Sequence, residues 1–301
     1  MSAISEQDLN SWVDRRSYPY EPHYLEAEGG RLHYVDEGSG NPVLLVHGSP
    51  TWSFIYRGII RQLSDRFRCV APDNIGFGLS SKPQEWSHSP SAHARNLNRL
   101  VEHLDLRDIT LVVHDYGGPI GFTFAREHLH RIKRVVVMNT WLWDLSHDDT
   151  ALKVGKVVHG PLGKMAYLSM NAAPKLIKPL FGDKTKYTEA VQKAYCGPFE
   201  HKEDRHGPYR VAMNLLDRGA EYAELWRGRE VFCDTPMLFL WGLKDPTFGE
   251  KYLNKFWHEF PLCEVKCFED AGHFLPEEKP QAVAEAIGVF CRASAEQGYL
   301  A

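Results

Sequence analysis

No apolar run in this chain of 301 residues approaches the ~18 residues that a membrane-spanning helix needs. No block of like charge stands out either. Thirty-five Lys and Arg are interleaved with 39 Asp and Glu, for a net charge of −4. That mixture argues against a basic nucleic-acid stripe and against a charged tail. Cysteine is sparse and scattered, at Cys69, Cys196, Cys233, Cys263, Cys267 and Cys291. Cys263 and Cys267 form the only close pair, with no second pair or His at zinc spacing. No metal is therefore expected, and free thiols in a reducing cytoplasm are. Internal repeats and low-complexity segments are absent. Met1–Asp8 lacks a basic region followed by an apolar stretch, so no signal peptide is expected. What remains is 43% hydrophobic residues, enough for a sizeable core. Length alone gives about two domains as a soft prior.

The first half alternates strand and helix. His23-Tyr24-Leu25 and Leu32-His33-Tyr34-Val35 flank Gly29-Gly30 and predict a hairpin. Short apolar runs at Pro42–Val46, Arg68–Ala71, Ile109–Val113 and Val135–Met138 predict buried strands. Helical patterns over Phe54–Leu63 and Ala92–Leu104 lie between them. From about Trp143 to Trp226 the strands stop. Helical stretches punctuated by Gly160-Pro161, Gly197-Pro198 and Gly207-Pro208 take over. Strands resume at Pro236–Trp241 and Glu264–Phe268, with helices near Lys251–Phe260 and Pro280–Cys291. The expectation is an α/β core with a mostly parallel sheet, interrupted by a helical cap. Its parts would be core over 1–142, cap over 143–228 and core again over 229–301.

The chemistry centres on Val112-Val113-His114-Asp115-Tyr116-Gly117-Gly118. A buried strand runs into a glycine turn that opens a helix. Such an elbow holds one strained residue above the sheet, usually Ser as nucleophile. Here that residue is Asp115. A carboxylate nucleophile implies a covalent alkyl ester on the enzyme. Other groups at the carboxyl ends of strands belong to the same crevice. They are His47-Gly48-Ser49-Pro50, Lys244-Asp245-Pro246 and Asp270-Ala271-Gly272-His273. His273 is the expected base and Asp245 the carboxylate that orients it. Asn139, after the strand that follows the elbow, is neutral and so a poor alternative. The order nucleophile, acid, His is that of α/β-hydrolases.

These residues resemble the haloalkane dehalogenases of the α/β-hydrolase superfamily. His47–Arg57 is similar to that family's oxyanion loop, and Ala71–Pro83 to its next signature. His114–Gly118 and Ala271–Phe274 are similar to its nucleophile and base motifs, and Tyr195–Phe199 to a cap element. The likeness runs from about residue 20 to 290. It looks most like the subgroup whose acid comes late in the chain. The resemblance implies an oxyanion hole from the backbone N–H groups of Ser49 and Tyr116. It also implies side-chain donors for a leaving halide. The family has a Trp after the nucleophile and often an Asn after His-Gly. Here the positions hold Tyr116 and Ser49, which become the candidate halide-binding groups. Trp141, Trp143, Phe199 and Tyr195 are candidates for an apolar cap cleft. No metal or organic cofactor is required, and the partners are a small apolar substrate and water. No nucleic-acid or membrane partner is expected, and the oligomeric state is open.

Two other activities share the Asp nucleophile. An epoxide hydrolase needs a proton donor for the ring oxygen, and Tyr167, Tyr187, Tyr195 and Tyr209 are available. β-Lactone processing is associated with relatives of the same subgroup. A non-enzymatic binding protein is the remote alternative, because fold alone does not fix function.

Overall fold

A computed structural model describes residues 11–296, with side chains followed to Arg292. Met1–Asp8, on which the signal-peptide expectation rests, lie outside the described residues.

Eight strands form one sheet. They are β1 (His23–Ala27), β2 (Gly30–Glu37), β3 (Pro42–Val46), β4 (Arg68–Pro72), β5 (Ile109–His114), β6 (Ile132–Met138), β7 (Met237–Gly242) and β8 (Cys263–Phe268). Their spatial order is β1-β2-β4-β3-β5-β6-β7-β8. β1, β2 and β4 pair antiparallel, and every pairing from β4 to β8 is parallel. Gly29 and Gly30, at φ 87° and 128°, turn the β1–β2 hairpin.

Both faces of the parallel part are covered. Every residue of β3, β5 and β7 is buried. This is why those segments read as continuous apolar runs rather than alternating ones. The two-residue period still sorts their side chains between layers. Val43 and Leu45 face one side with Ile59, Leu63 and Ile287. Leu44 and Val46 face the other with Leu97, Ile120 and Phe256. Each such side chain, fully buried, contributes about 1.5–3 kcal/mol.

The core helices are α1 (Arg57–Leu63), α2 (Pro90–His103) and α3 (Gly117–Glu127). Ser89 caps α2 by accepting from the Ala92 N–H, with Pro90 at the first helical position. Between β6 and β7 the chain makes α4 (Asp149–His159), α5 (Pro161–Leu168), α6 (Ala172–Lys175), α7 (Glu189–Cys196), α8 (His206–Asp217) and α9 (Gly219–Arg227). Asp148 caps α4 through the Thr150 and Ala151 N–H groups, and Thr188 caps α7 through Val191. These helices are the insertion that the loss of strand pattern predicts. The chain closes with α10 (Glu250–Glu259), α11 (Leu275–Glu278) and α12 (Pro280–Glu296).

Candidate active site

β5 ends at His114 and α3 begins at Gly117, so Asp115 and Tyr116 form the corner. Asp115 has φ 51°, a left-handed conformation that a non-glycine residue adopts at a cost of about 1–3 kcal/mol. Its backbone is pinned from three sides. The Asp115 N–H donates to the Asn139 carbonyl (3.2 Å), while its own carbonyl accepts from Gly118 N–H (2.9 Å) and Thr140 Oγ1 (2.5 Å). The corner needs glycine after it, because a Cβ on Gly117 would sit 2.1 Å from the Val46 carbonyl oxygen.

The loop after β3 closes on the carboxylate. The Ser49 N–H donates to Asp115 Oδ1 at 2.7 Å. The Tyr116 N–H is a second backbone donor to the same carboxylate. A Cβ on Gly48 would lie 2.1 Å from Asp115 Oδ1, so only glycine lets the loop come this near. Asp73, at the end of β4, holds the loop from behind. Its carboxylate accepts from Ser53 N–H (2.7 Å) and Leu79 N–H (2.8 Å) and pairs with His33 Nδ1 (2.8 Å). His47 Nε2 accepts from Asn74 N–H at 2.8 Å, so its proton sits on Nδ1, which donates to the Gly48 carbonyl at 2.7 Å.

His273 follows β8. Its Nδ1 bonds Asp245 Oδ2 at 2.8 Å, and its Nε2 lies 3.6 Å from Asp115 Oδ2. Its backbone is fixed by its N–H on the Leu180 carbonyl (2.9 Å) and its carbonyl on His114 Nε2 (2.8 Å). Asp245 Oδ1 accepts the Thr247 N–H at 2.7 Å. Asn139, the rejected acid, donates from Nδ2 to Asp245 Oδ2 at 3.0 Å.

The electrostatics follow from this packing. Burial pushes the Asp115 carboxyl up, and His273 and the two backbone N–H groups only partly offset it. Burial would also raise Asp245, but the His273 ring and the N–H groups of Thr247 and Phe248 hold it below its ordinary value. For His273 burial pulls down, yet the Asp245 carboxylate, aided by Asp115, lifts the imidazole above 6.5. Two carboxylates with opposite shifts thus flank one imidazole, an arrangement that can divide nucleophilic and orienting roles between them.

A cavity of about 280 Å³ opens over Asp115 and His273. Ser49, Tyr116, Trp141 and Phe248 line it near the carboxylate, and Val154, Tyr167, Leu176, Ile177, Val211 and Leu215 line it from the insertion. Of the four aromatic residues expected in the cleft, Trp141 is there. The other three are not. Trp143 stacks on Tyr252 at 5.3 Å and packs with Trp226 in the core. Phe199 is fully buried against Phe77. Tyr195 is fully buried and donates to Glu277 Oε2 at 2.8 Å. The core layers absorb Phe199 and Tyr195, and half-buried Trp143 packs against them. Of the four tyrosines weighed as proton donors, Tyr167 lines the cavity.

Tyr116 also needs correcting as a leaving-group donor. Its ring lines the cavity, but its hydroxyl donates to the His88 carbonyl at 2.8 Å. A phenol has one proton to give, and a buried one gives it to the nearest acceptor. Ser49 lines the cavity, and its Oγ has no hydrogen-bond partner among the described residues. The Trp141 indole N–H likewise lacks an acceptor but is occluded from solvent. α8 carries apolar residues on two sides, and Val211, Ala212 and Leu215, rather than the neighbouring Met213 and Leu216, share the cavity-facing stripe. Their i, i+1, i+4 spacing was the available signal.

A family model described as alpha/beta hydrolase fold matches residues 41–280. Haloalkane dehalogenase 2 of Mycobacterium tuberculosis is 37% identical over 277 residues, covering 91% of this chain and 96% of that protein. A cis-3-alkyl-4-alkyloxetan-2-one decarboxylase of Shewanella oneidensis is 32% identical over 282 residues, covering 90% and 88%. Among solved structures, the haloalkane dehalogenase DpaA from Paraglaciecola agarilytica, described as tetrameric, superposes with a TM-score of 0.79. It is 30% identical, over 95% of this chain and 96% of that one.

Proposed function

The chain belongs to the haloalkane dehalogenase family of the α/β-hydrolase fold, and on that premise we propose that Asp115, His273 and Asp245 convert a halogenated aliphatic to alcohol and halide. One observation carries the assignment of roles. Asp115 presents Oδ2 toward His273 while Oδ1 is held by the Ser49 N–H.

In the first step Asp115 Oδ2 attacks the sp³ carbon. The new C–O bond forms as the carbon–halogen bond breaks, and its electron pair leaves with the halide. A carboxylate needs no base for this. In the second step water attacks Cγ of the alkyl ester and gives its proton to His273 Nε2. Oδ1 takes the negative charge between the Ser49 and Tyr116 N–H groups. Asp245 keeps the Nδ1 proton in place and stabilises the imidazolium. Collapse expels the alkoxide, which takes the proton back. The apolar cavity limits competing water.

The leaving ion is served by Ser49 Oγ and not by the Tyr116 phenol. That single side-chain donor is a thin halide site. It favours a second reading, in which the same Asp115 and His273 act on a β-lactone, the substrate class in the Shewanella relative's name. Tyr167, which lines the cavity, is the hydroxyl we assign to the polar end of such a ring. The six unpaired thiols fit a reducing, cytoplasmic setting.

A panel of short bromo- and chloroalkanes, epoxides, oxetan-2-ones and simple esters decides. Bromide release that vanishes in Asp115→Ala supports the first reading; carbon dioxide release from oxetan-2-ones without halide release supports the second. In a single turnover in ¹⁸O-water, label should enter Asp115 and not the first alcohol. Label in that alcohol would rule out the ester.

A further inference from the structure

The insertion carries an unusual surface. Seven of the twelve exposed large apolar residues among those described fall between positions 152 and 176. Val157, Leu162, Met165, Met170 and Leu176 are at least half exposed, Leu162 at 73% and Leu176 at 69%. A monomeric soluble surface rarely concentrates them so, and such a patch marks an interaction site. The same stretch is basic. Between residues 150 and 186 there are seven lysines against one carboxylate, Asp183, in a chain whose net charge is −4. All seven lysines are exposed, and none is in an ion pair with a described residue.

The cavity opens within this face. Val154 on α4 and Leu176 just after α6 both line the cavity and both reach solvent. Exposed apolar side chains ringed by lysines are what an element lying in a lipid headgroup layer displays. No helix among the described residues is long and apolar enough to cross a membrane, so the contact is one of surface, not span. A second copy of this chain is the poorer occupant, because a two-fold pairing sets this lysine-rich face against itself.

We propose that the α4–α6 face is a docking surface for an anionic lipid bilayer, with the cavity mouth turned toward it. Leu162 and Met165 enter the headgroup region, and the lysines meet phosphate. The sequence alone argued against a membrane partner because it measures run length, and these apolar residues are dispersed among lysines. The docking stands on the cap surface alone; only the idea that an apolar substrate enters from the bilayer rests on the proposed reaction.

The test is co-sedimentation of the full chain with phosphatidylcholine vesicles, with and without phosphatidylglycerol. Binding to the anionic vesicles only, released by salt, is expected. Lys153→Gln, Lys156→Gln and Lys164→Gln should weaken partitioning about fivefold per lysine. Leu162→Ser with Met165→Ser should abolish it while thermal unfolding is unchanged, since both residues are exposed. Asp115→Ala should bind as the unsubstituted chain does, which separates this idea from the fate of the dehalogenase reading. Absence of vesicle binding overturns the proposal. So does binding indifferent to these substitutions. Sedimentation equilibrium on Leu162→Ser with Met165→Ser supplies the rival outcome: dissociation of an oligomer, with no lipid binding in either protein, assigns the face to a second copy.

Discussion

Asn139 shapes the site although its side chain is neutral. It donates to Asp245 Oδ2 at 3.0 Å and to the Gly242 carbonyl at 3.1 Å, and its Oδ1 accepts from Gly242 N–H at 2.9 Å. Asn139→Asp would place a second carboxylate against Asp245. Two buried carboxylates so close cannot both ionise easily, so one would hold a proton. Steady-state kinetics should show a fall in kcat, with the acid limb of the pH profile moved. Asp245→Asn should be more severe, about 10⁴-fold in kcat, because the His273 tautomer is lost. In the unsubstituted enzyme His273 must be neutral to accept a proton, and its pKa lies above 6.5. Hydrolysis should therefore rise with pH through that raised value and be lost below it. Halide release in the first turnover should be insensitive over the same range, because a carboxylate attacks without a base. His273→Gln should accordingly trap an alkyl ester on Asp115, visible as added mass; a chain of unchanged mass after substrate treatment would contradict the two-step scheme.

At the scale of elements, the strands and the residues gathered at their ends were legible. A run such as Val43-Leu44-Leu45-Val46 has one sensible fate, and the elbow glycine has a physical reason. What stayed illegible was which face an aromatic side chain would choose. Trp143 and Phe199 read as cleft residues because the insertion is rich in aromatics, yet Phe199 is buried in the core and Trp143 packs half-buried against it. The Tyr116 hydroxyl was illegible for the same reason: its acceptor, the His88 carbonyl, is 28 residues away. Glu277 was unread altogether. It takes two bonds from Arg57 (2.7 and 2.5 Å) and one from Tyr195, tying α1, α7 and α11 together. Glu277→Leu leaves the Arg57 charge without its partner and should cost about 3 kcal/mol in chemical denaturation. A midpoint unchanged from the parent would show that the tie is dispensable.

The whole molecule carries a further burden in its buried imidazoles. Burial depresses His88 to about 4 and His114 to about 3, and pulls His47 and His93 down as well. In the unfolded chain these rings take protons near 6.5. The unfolded state then binds more protons than the folded one below that pH, so stability falls as pH drops from about 6.5 toward 4. His273 works the other way. Its raised folded value contributes stability that is complete below 6.5 and is lost as pH climbs through it. Four rings against one make the acid side the weaker flank. Melting temperatures should decline on acidification from 6.5 to 4, and His88→Asn should flatten that decline; a slope unchanged in this variant would remove His88 from the account.

The His88 carbonyl receives two protons, from the Tyr116 hydroxyl and from Asn214 Nδ2, each at 2.8 Å. Either donor can be lost without stranding the acceptor, so Tyr116→Phe should cost no more than about 1 kcal/mol. Redundancy of this kind is a licence for drift. The residue beside Asp115 can change identity in a descendant while the loop it braces stays where it is. The leaving group that a lineage accepts can then wander faster than the hydrolytic machinery, and a shift from one scissile bond to another needs no interval in which the protein fails to fold.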